Sequence, residues 1–597
     1  MFELRVWAPR AAVVEVQVAG AERASLHRRS DAADGEWLGS VPDGARYQLH
    51  VDGGPGLVDP LATQVWFAEG HRRQAPDAWA EAVAWPAARP QRRTTRPLIV
   101  GEAHASGITM RRERHDAGSL LAVIDELPRL SGLGVSVIEL LPVHQFDPAE
   151  GNYWGYMPIV FGAVHSAYGS ARDLVDLVAA AHELDMEVWV DVVVNHTTEE
   201  DEDGPTFNLR SLADDDYYAH DAHDAHDADY AHDADYAHDA DGRYLNDAGC
   251  GNIIDATSAP AQRLIMAGLD RLADLGIDGF RFDLAAVLAR DPDFVRSIGD
   301  WGERRGVRLV AEPWDLARYL LGRGFPDTRW AQWNGKFRDD MRGFLRGEGG
   351  LVPAVMQRVQ GSPDLFDRPL QSVNLFTAHD GFTMYDLVSY DRKHNDANGW
   401  HGTDGTDDNR SWNGGWEGDV DVPADVQAVR RQQLRNAWCL LLLSHGTPMF
   451  VVGDEFGRTQ NGNNNPYNQD NETSWIDWGR SADFADLECF VGQLTAFRAS
   501  KPVLDQPQPW GTDLEWFGTS GPPDLAEHSR SVAWHVDGLY VMANMWWEPI
   551  DFTVQAPGQW KVVIDTADTA GFVDRPAGST VSVGPRSIVV LGAPIPS

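Results

Sequence analysis

Cysteine is nearly absent from this chain: 597 residues hold three, Cys250, Cys439 and Cys489, with no Cys-x-x-Cys pair. That excludes a disulfide framework and a cysteine zinc site, and it points to a reducing compartment. The start, Met1-Phe-Glu-Leu-Arg-Val-Trp-Ala-Pro9, lacks the basic segment, apolar stretch and small-residue cleavage site of a secretory leader and alternates like a strand. No apolar run approaches ~18 residues, the least a membrane-spanning helix needs. Basic residues are scarce as well. With 50 Lys and Arg against 90 Asp and Glu the formal charge is −40, which repels nucleic acid and anionic membranes and favours a neutral partner. A cytoplasmic globular protein is expected, and the sequence sets no oligomeric state.

What is present is ordinary in bulk and informative in order. A 43% hydrophobic and 23% charged composition supports a large core. The 23 tryptophans suit stacking on sugar rings, although most tryptophans simply pack. Residues 1–95 read as short strands between Gly, Pro and Asp turns (Glu3-Leu-Arg-Val-Trp7, Val13 to Val18, Tyr47 to Val51), an N-terminal β-sandwich closed by the Pro- and Arg-rich linker Trp85 to Pro97. From Leu98, apolar strands alternate with helical segments of period near 3.6.

Eight strand candidates begin at Leu98, Val135, Val188, Gly279, Val307, near Trp330, at Val373 and at Pro448. Leu120/Leu121/Ile124/Leu127 and Leu264/Ile265/Leu269/Leu272 each supply an apolar stripe to lie over the sheet. Eight parallel strands with covering helices predict a (β/α)8 TIM barrel over 96–504. Short alternating strands return after about residue 505, a second β-sandwich over 505–597. An insertion after the third strand, about 197–258, carries an Ala-His-Asp repeat with His220, His223, His226, His232 and His238. Dense His and Asp are metal-ligand types; composition favours an expanded repeat in a solvated loop.

Reactive residues of such a barrel sit at the C-terminal ends of its strands. Four of those ends are polar: Asp191-Val-Val-Val-Asn195-His196, Gly279-Phe-Arg281-Phe-Asp283, Val310-Ala-Glu312-Pro-Trp314 and Phe376-Thr-Ala-His379-Asp380. Asp283, Glu312 and Asp380 close strands four, five and seven, since Glu312 follows Asp283 by 29 residues and Asp380 follows Glu312 by 68. Carboxylates converging on one mouth bind a cation, perform acid–base and nucleophilic chemistry, or pair with arginine as structure. Arg281, on the same strand face as Asp283, competes with a cation there and keeps that carboxylate ionised, as a nucleophile requires. Crowding raises the pKa of another carboxylate, as a proton donor requires. Retaining glycosidic cleavage needs that division, with a third acid to stabilise the oxocarbenium-like transition state or orient the sugar.

These four strand ends, in this order, resemble the signature segments of the alpha-amylase superfamily of glycoside hydrolases. The resemblance implies Asp283 as nucleophile, Glu312 as general acid/base and Asp380 as the third acid. It implies that Arg281 holds the nucleophile, that His196 and His379 hydrogen-bond the sugar being cleaved, and that Tyr156 of Asn152-Tyr-Trp-Gly-Tyr156 stacks on it. Longer stretches resemble isoamylase-type debranching enzymes, including bacterial glycogen debranching enzymes: Gln332-Trp-Asn-Gly-Lys-Phe-Arg-Asp-Asp340, Thr377-Ala-His-Asp-Gly-Phe-Thr383, Asp407-Asp-Asn-Arg-Ser-Trp-Asn413 and Gly453-Asp-Glu-Phe-Gly-Arg-Thr-Gln-Asn-Gly-Asn-Asn-Asn465. The first domain, with Val6-Trp-Ala-Pro9, resembles glycogen-binding modules; a packing domain that has lost sugar binding is the alternative.

Departures are Gly414 where relatives carry Cys, Val194 where Tyr is common and Gly101 where an aromatic precedes Glu. None removes a carboxylate. The implied activity is hydrolysis of α-1,6 branches in glycogen, amylopectin or limit dextrin. The alternatives are maltooligosyltrehalose trehalohydrolase, whose size and first domain are similar, and a non-catalytic α-glucan-binding protein, which would have lost the acids. No organic cofactor is implied. A structural calcium occurs in many relatives, but the sequence assigns no metal ligands.

Overall fold

The computed structural model describes residues 1–29, 35–69, 71–73, 76–149, 151–220 and 244–592. Of the Ala-His-Asp histidines His220 is described; His223, His226, His232 and His238 lie outside the described residues.

Eight parallel strands close a barrel: β1 (Val100–Ala103), β2 (Val137–Leu140), β3 (Glu187–Val192), β4 (Gly279–Phe282), β5 (Arg308–Ala311), β6 (Ala331–Trp333), β7 (Ser372–Leu375) and β8 (Thr447–Val451), with β8 pairing back to β1. Each expected strand is present, shifted by at most two residues. The period of two sorts their side chains. Ile99, Ile138, Val188, Val190, Phe280, Phe282 and Phe450 face outward into the main core under the helices. Val100, Val137, Trp189, Val310, Trp333, Val373 and Met449 face inward and plug the barrel with a separate apolar cluster. Two residues further along five of these strands, the same inward face carries Glu102, Glu139, Asp191, Arg281 and Glu312. The barrel interior is therefore apolar below and ionic above.

The helices form for local reasons. Ala171–Glu183 starts on a capping box in which Ser170 and Asp173 satisfy each other's backbone N–H groups. Pro292–Arg305 starts on the Asp291 side chain and ends at Gly306, whose φ of 73° supplies the left-handed stop. Ala259–Asp274 buries Leu264, Ile265, Leu269 and Leu272 as its periodicity predicts. The other stripe is imperfect, because Leu121 is 39% exposed while Leu120 and Leu127 are buried.

An antiparallel pair outside the expected strands, His144–Phe146 with Pro158–Val164, projects Tyr156 and Met157 over the barrel mouth. At the N-terminus a three-stranded and a five-stranded sheet share one core, with Leu4, Val6, Val14, Tyr47 and Leu49 buried. At the C-terminus a six-stranded sheet packs on a two-stranded one through Tyr540, Met542, Phe552 and Val581. The segment Trp85 to Pro97 is pinned along the barrel: the Arg92 guanidinium donates to the His182 carbonyl at 2.6 Å, its backbone N–H donates to Asp278 at 2.6 Å, and Thr94 N–H donates to Glu187 at 3.0 Å. Among the described residues no helix is long and apolar enough to cross a membrane.

Candidate active site

The ionic layer opens into a cleft of about 1100 Å³ whose lining includes Tyr156, His196, Arg281, Asp283, Glu312, His379 and Asp380. All seven side chains singled out in the sequence thus meet at one mouth. Arg281, 1% exposed, is the hub. Its Nη1 donates to Asp191 Oδ2 at 2.7 Å and to Asp283 Oδ1 at 3.0 Å, while Nη2 lies 3.0 Å from Glu312 Oε2. The guanidinium stands 4.1 Å above the Trp333 ring, which shields it from below. The other Asp283 oxygen accepts Asn195 Nδ2 at 2.7 Å, so both oxygens of this carboxylate are held.

Glu312 also accepts the Leu284 backbone N–H at 2.8 Å. Leu284 sits at φ 39°, a left-handed conformation that costs a non-glycine residue about 1–3 kcal/mol, and it does so between two cleft carboxylates. Burial raises the Glu312 carboxyl to about 7 against the relief given by Arg281, with Asp283 and Asp380 adding to the rise. Burial, with Asp283, likewise lifts Asp191 to about 6. Asp380 differs from both: it is exposed to the cleft and has no hydrogen-bond or ion-pair partner among the described residues.

Tyr156 stacks on His379 with ring centroids 5.0 Å apart and donates its hydroxyl to Asp191. His379 is bonded through Nδ1 to Glu102 at 2.7 Å, and burial is outweighed by that carboxylate, so its pKa is raised. His196 has both ring nitrogens engaged within the protein, Nε2 with the Tyr156 carbonyl at 2.6 Å and Nδ1 with Asn195 Oδ1. Two acceptor partners suit an imidazolium. Burial opposes that charge, yet Cys250 and Asp283 bring the group to about 9.

The sequence motifs assign no role to Asp191, Asn195 or Glu102. Their signal was available: each carries a polar side chain at, or just beyond, the end of an apolar strand. The aromatic wall formed by Trp154, Trp400 and Tyr467 carries no comparable signal, because tryptophan and tyrosine are common in cores. Trp400 donates its indole N–H to the Tyr467 hydroxyl at 2.6 Å and remains 56% exposed. The insertion contributes Asn246, Ala248 and Cys250 to the cleft, and the N-terminal unit contributes Arg73, which pairs with Glu200.

Among the described residues the cluster of potential metal ligands is Asp214, Asp215 and His220. It fits calcium poorly: imidazole is not an oxygen ligand, Asp215 is paired with Arg10, and Asp214 lies 3.2 Å from His220.

The family model for the alpha amylase catalytic domain matches residues 102–301. A glycogen operon protein GlgX homolog of Mycobacterium tuberculosis (strain ATCC 25618 / H37Rv) is 36% identical over 580 residues, covering 85% of this chain and 77% of its own. The glycogen debranching enzyme of Dickeya chrysanthemi is 34% identical, covering 81% and 80%. Chloroplastic isoamylase 3 of Oryza sativa subsp. japonica is 38% identical over 65% of this chain and 52% of its own. Among solved structures, a type I pullulanase from Bacillus subtilis complexed with maltose superposes with a TM-score of 0.77 over 99% of this chain and 84% of its own; at 21% identity that likeness is one of fold.

Proposed function

This chain belongs to the isoamylase and glycogen-debranching group of the alpha-amylase family, and on that premise we propose that it hydrolyses α-1,6 branch linkages of glycogen or a related α-glucan by double displacement. The observation that carries the mechanism is the sharing of one guanidinium by Asp283 and Glu312 on the cleft floor. That compact arrangement suits the ~5–5.5 Å carboxyl spacing of retaining glycosidases.

Asp283, held by Arg281 and Asn195, attacks the anomeric carbon as the glycosidic bond breaks. Glu312 delivers its proton to the departing oxygen, and a glycosyl ester forms on Asp283. Esterification removes the Asp283 charge, one of the influences that raise Glu312, so the Glu312 carboxyl becomes more acidic once it has given up its proton. The carboxylate then takes a proton from water as that water attacks the anomeric carbon and the bond from that carbon to the Asp283 oxygen breaks, which restores the Asp283 carboxylate and the protonated Glu312. Asp380, unpartnered and open to the cleft, receives sugar hydroxyls. Tyr156 forms the platform beneath the ring, His379 behind it turns Nε2 to the sugar, and His196 adds positive charge beside Asp283. The chemistry draws on carboxylates and water. A cytoplasmic site of action accords with the glycogen-operon name of the first relative.

Product analysis tests the activity. Glycogen and its limit dextrin should yield linear maltooligosaccharides while the remainder stains more deeply with iodine. Trehalose release from maltooligosyltrehalose without those changes would instead assign the alternative reaction.

A further inference from the structure

We propose that Glu102 is the positioning residue that holds His379 as an imidazolium and aims its Nε2–H at the bound sugar. The inference rests on the reading of the cleft as a glucan site. Glu102 lies on β1, 1% exposed, and both of its oxygens serve one residue: Oε2 accepts the His379 backbone N–H at 2.6 Å and Oε1 is bonded to its Nδ1 at 2.7 Å. The ring is clamped on its other sides. Tyr156 stacks on it, the Trp154 ring meets it edge-on with centroids 4.9 Å apart, and Trp333 lies at 6.0 Å. Nε2 has no protein partner among the described residues, and His379 lines the cleft.

A donated Nδ1–H leaves a neutral histidine with only a lone pair to offer at Nε2. A second proton turns that atom into a donor toward sugar hydroxyls. The charged groups around the ring decide between the two forms: Glu102 from β1 and Asp380 beside it favour the cation, while Arg281 from β4 opposes it. Asp191 from β3 also couples to the ring, and so does His104, which burial holds in the neutral form at about 4. Glu139, paired in register with Glu102 on the neighbouring strand, is a second buried carboxyl in the same layer. Burial, then Glu102 and Asp191, push it well above the usual carboxyl range. Among the described residues Glu139 makes no hydrogen bond or ion pair with His379, whereas both Glu102 oxygens do, so the task falls to Glu102.

Two near-isosteric substitutions separate the neighbours. With [13C-ε1]histidine-labelled full-length protein, the His379 resonance is assigned by its loss in His379→Gln, and its titration is followed in wild type, Glu102→Gln and Glu139→Gln. Glu102→Gln should lower the His379 pKa and cut kcat/KM by ~10–100-fold, the loss that follows removal of a carboxylate orienting a metal-bound histidine. Glu102→Asp, which keeps the charge, should recover part of that loss; Glu139→Gln should leave the titration near wild type. An unchanged His379 titration in Glu102→Gln, or equal displacement in both glutamine variants, overturns the proposal. A wild type that cleaves no glucan strikes at the hydrolase reading instead, and the titration still decides the pairing.

Discussion

Asp283 and Glu312, 29 residues apart in sequence, hang on the two terminal nitrogens of one buried guanidinium, that of Arg281. One arginine thus both preserves a nucleophile and restrains a neighbouring acid. Their charges are coupled, and the coupling has measurable consequences.

Asp283→Asn should lower the Glu312 pKa from about 7, because the substitution removes one of the charges that raise it. Carbon-13 NMR of labelled glutamate in the two proteins reads this directly. A Glu312 titration unmoved by the substitution would mean that the two carboxyls do not sense each other. The same variant should lose turnover almost completely, since no glycosyl ester can form, while its far-UV circular dichroism stays that of the wild type.

For wild type, the acid that must be protonated is Glu312, so kcat/KM should fall on the basic side with an apparent pKa near 7. In Glu312→Gln the limb should vanish along with most of the activity. Retention of the limb at the same pH would assign it to another group.

Glu312 also bears on stability, and the sign is fixed by its raised pKa. A carboxyl whose folded value exceeds its unfolded value of 4.5 favours folding at low pH, and that contribution is lost as pH climbs to about 7. Glu312→Gln should therefore be more stable than wild type at pH 8, by up to about 3 kcal/mol, with the gap closing toward pH 4. Urea denaturation at the two pH values measures it; a variant less stable than wild type at pH 8 would contradict the account.

Trp400 stands on the cleft wall, away from the Arg281 cluster. Trp400→Ala should raise KM for branched glucans by about tenfold with kcat nearly unchanged, the signature of binding lost equally from ground and transition states. A fall in kcat at constant KM would place this side chain in the chemical step.

The barrel was legible because apolar strands alternate with helical segments of period near 3.6, and the strand ends break the apolar runs with Asp283, Glu312 and the His379-Asp380 pair. Contacts that depend on the third dimension were not. Arg281 was expected to serve Asp283, two residues away; its hold on Glu312 and Asp191 arises from the pairing of β4 with β3 and β5, which no local spacing encodes. The hairpin that carries Tyr156 has no periodic signature in its first strand, because His144–Phe146 has only three residues. Leu121 matched a helical stripe, yet the first α-helical segment there spans only Leu120–Val123 before tightening to a 3₁₀ turn, and Leu121 faces solvent.

The most direct test is proton NMR of the first products released from glycogen, recorded before mutarotation. The account predicts linear maltooligosaccharides that appear as α-anomers from wild type and are missing from Asp283→Asn. Products that appear first as β-anomers, or that persist undiminished in Asp283→Asn, would contradict double displacement through Asp283.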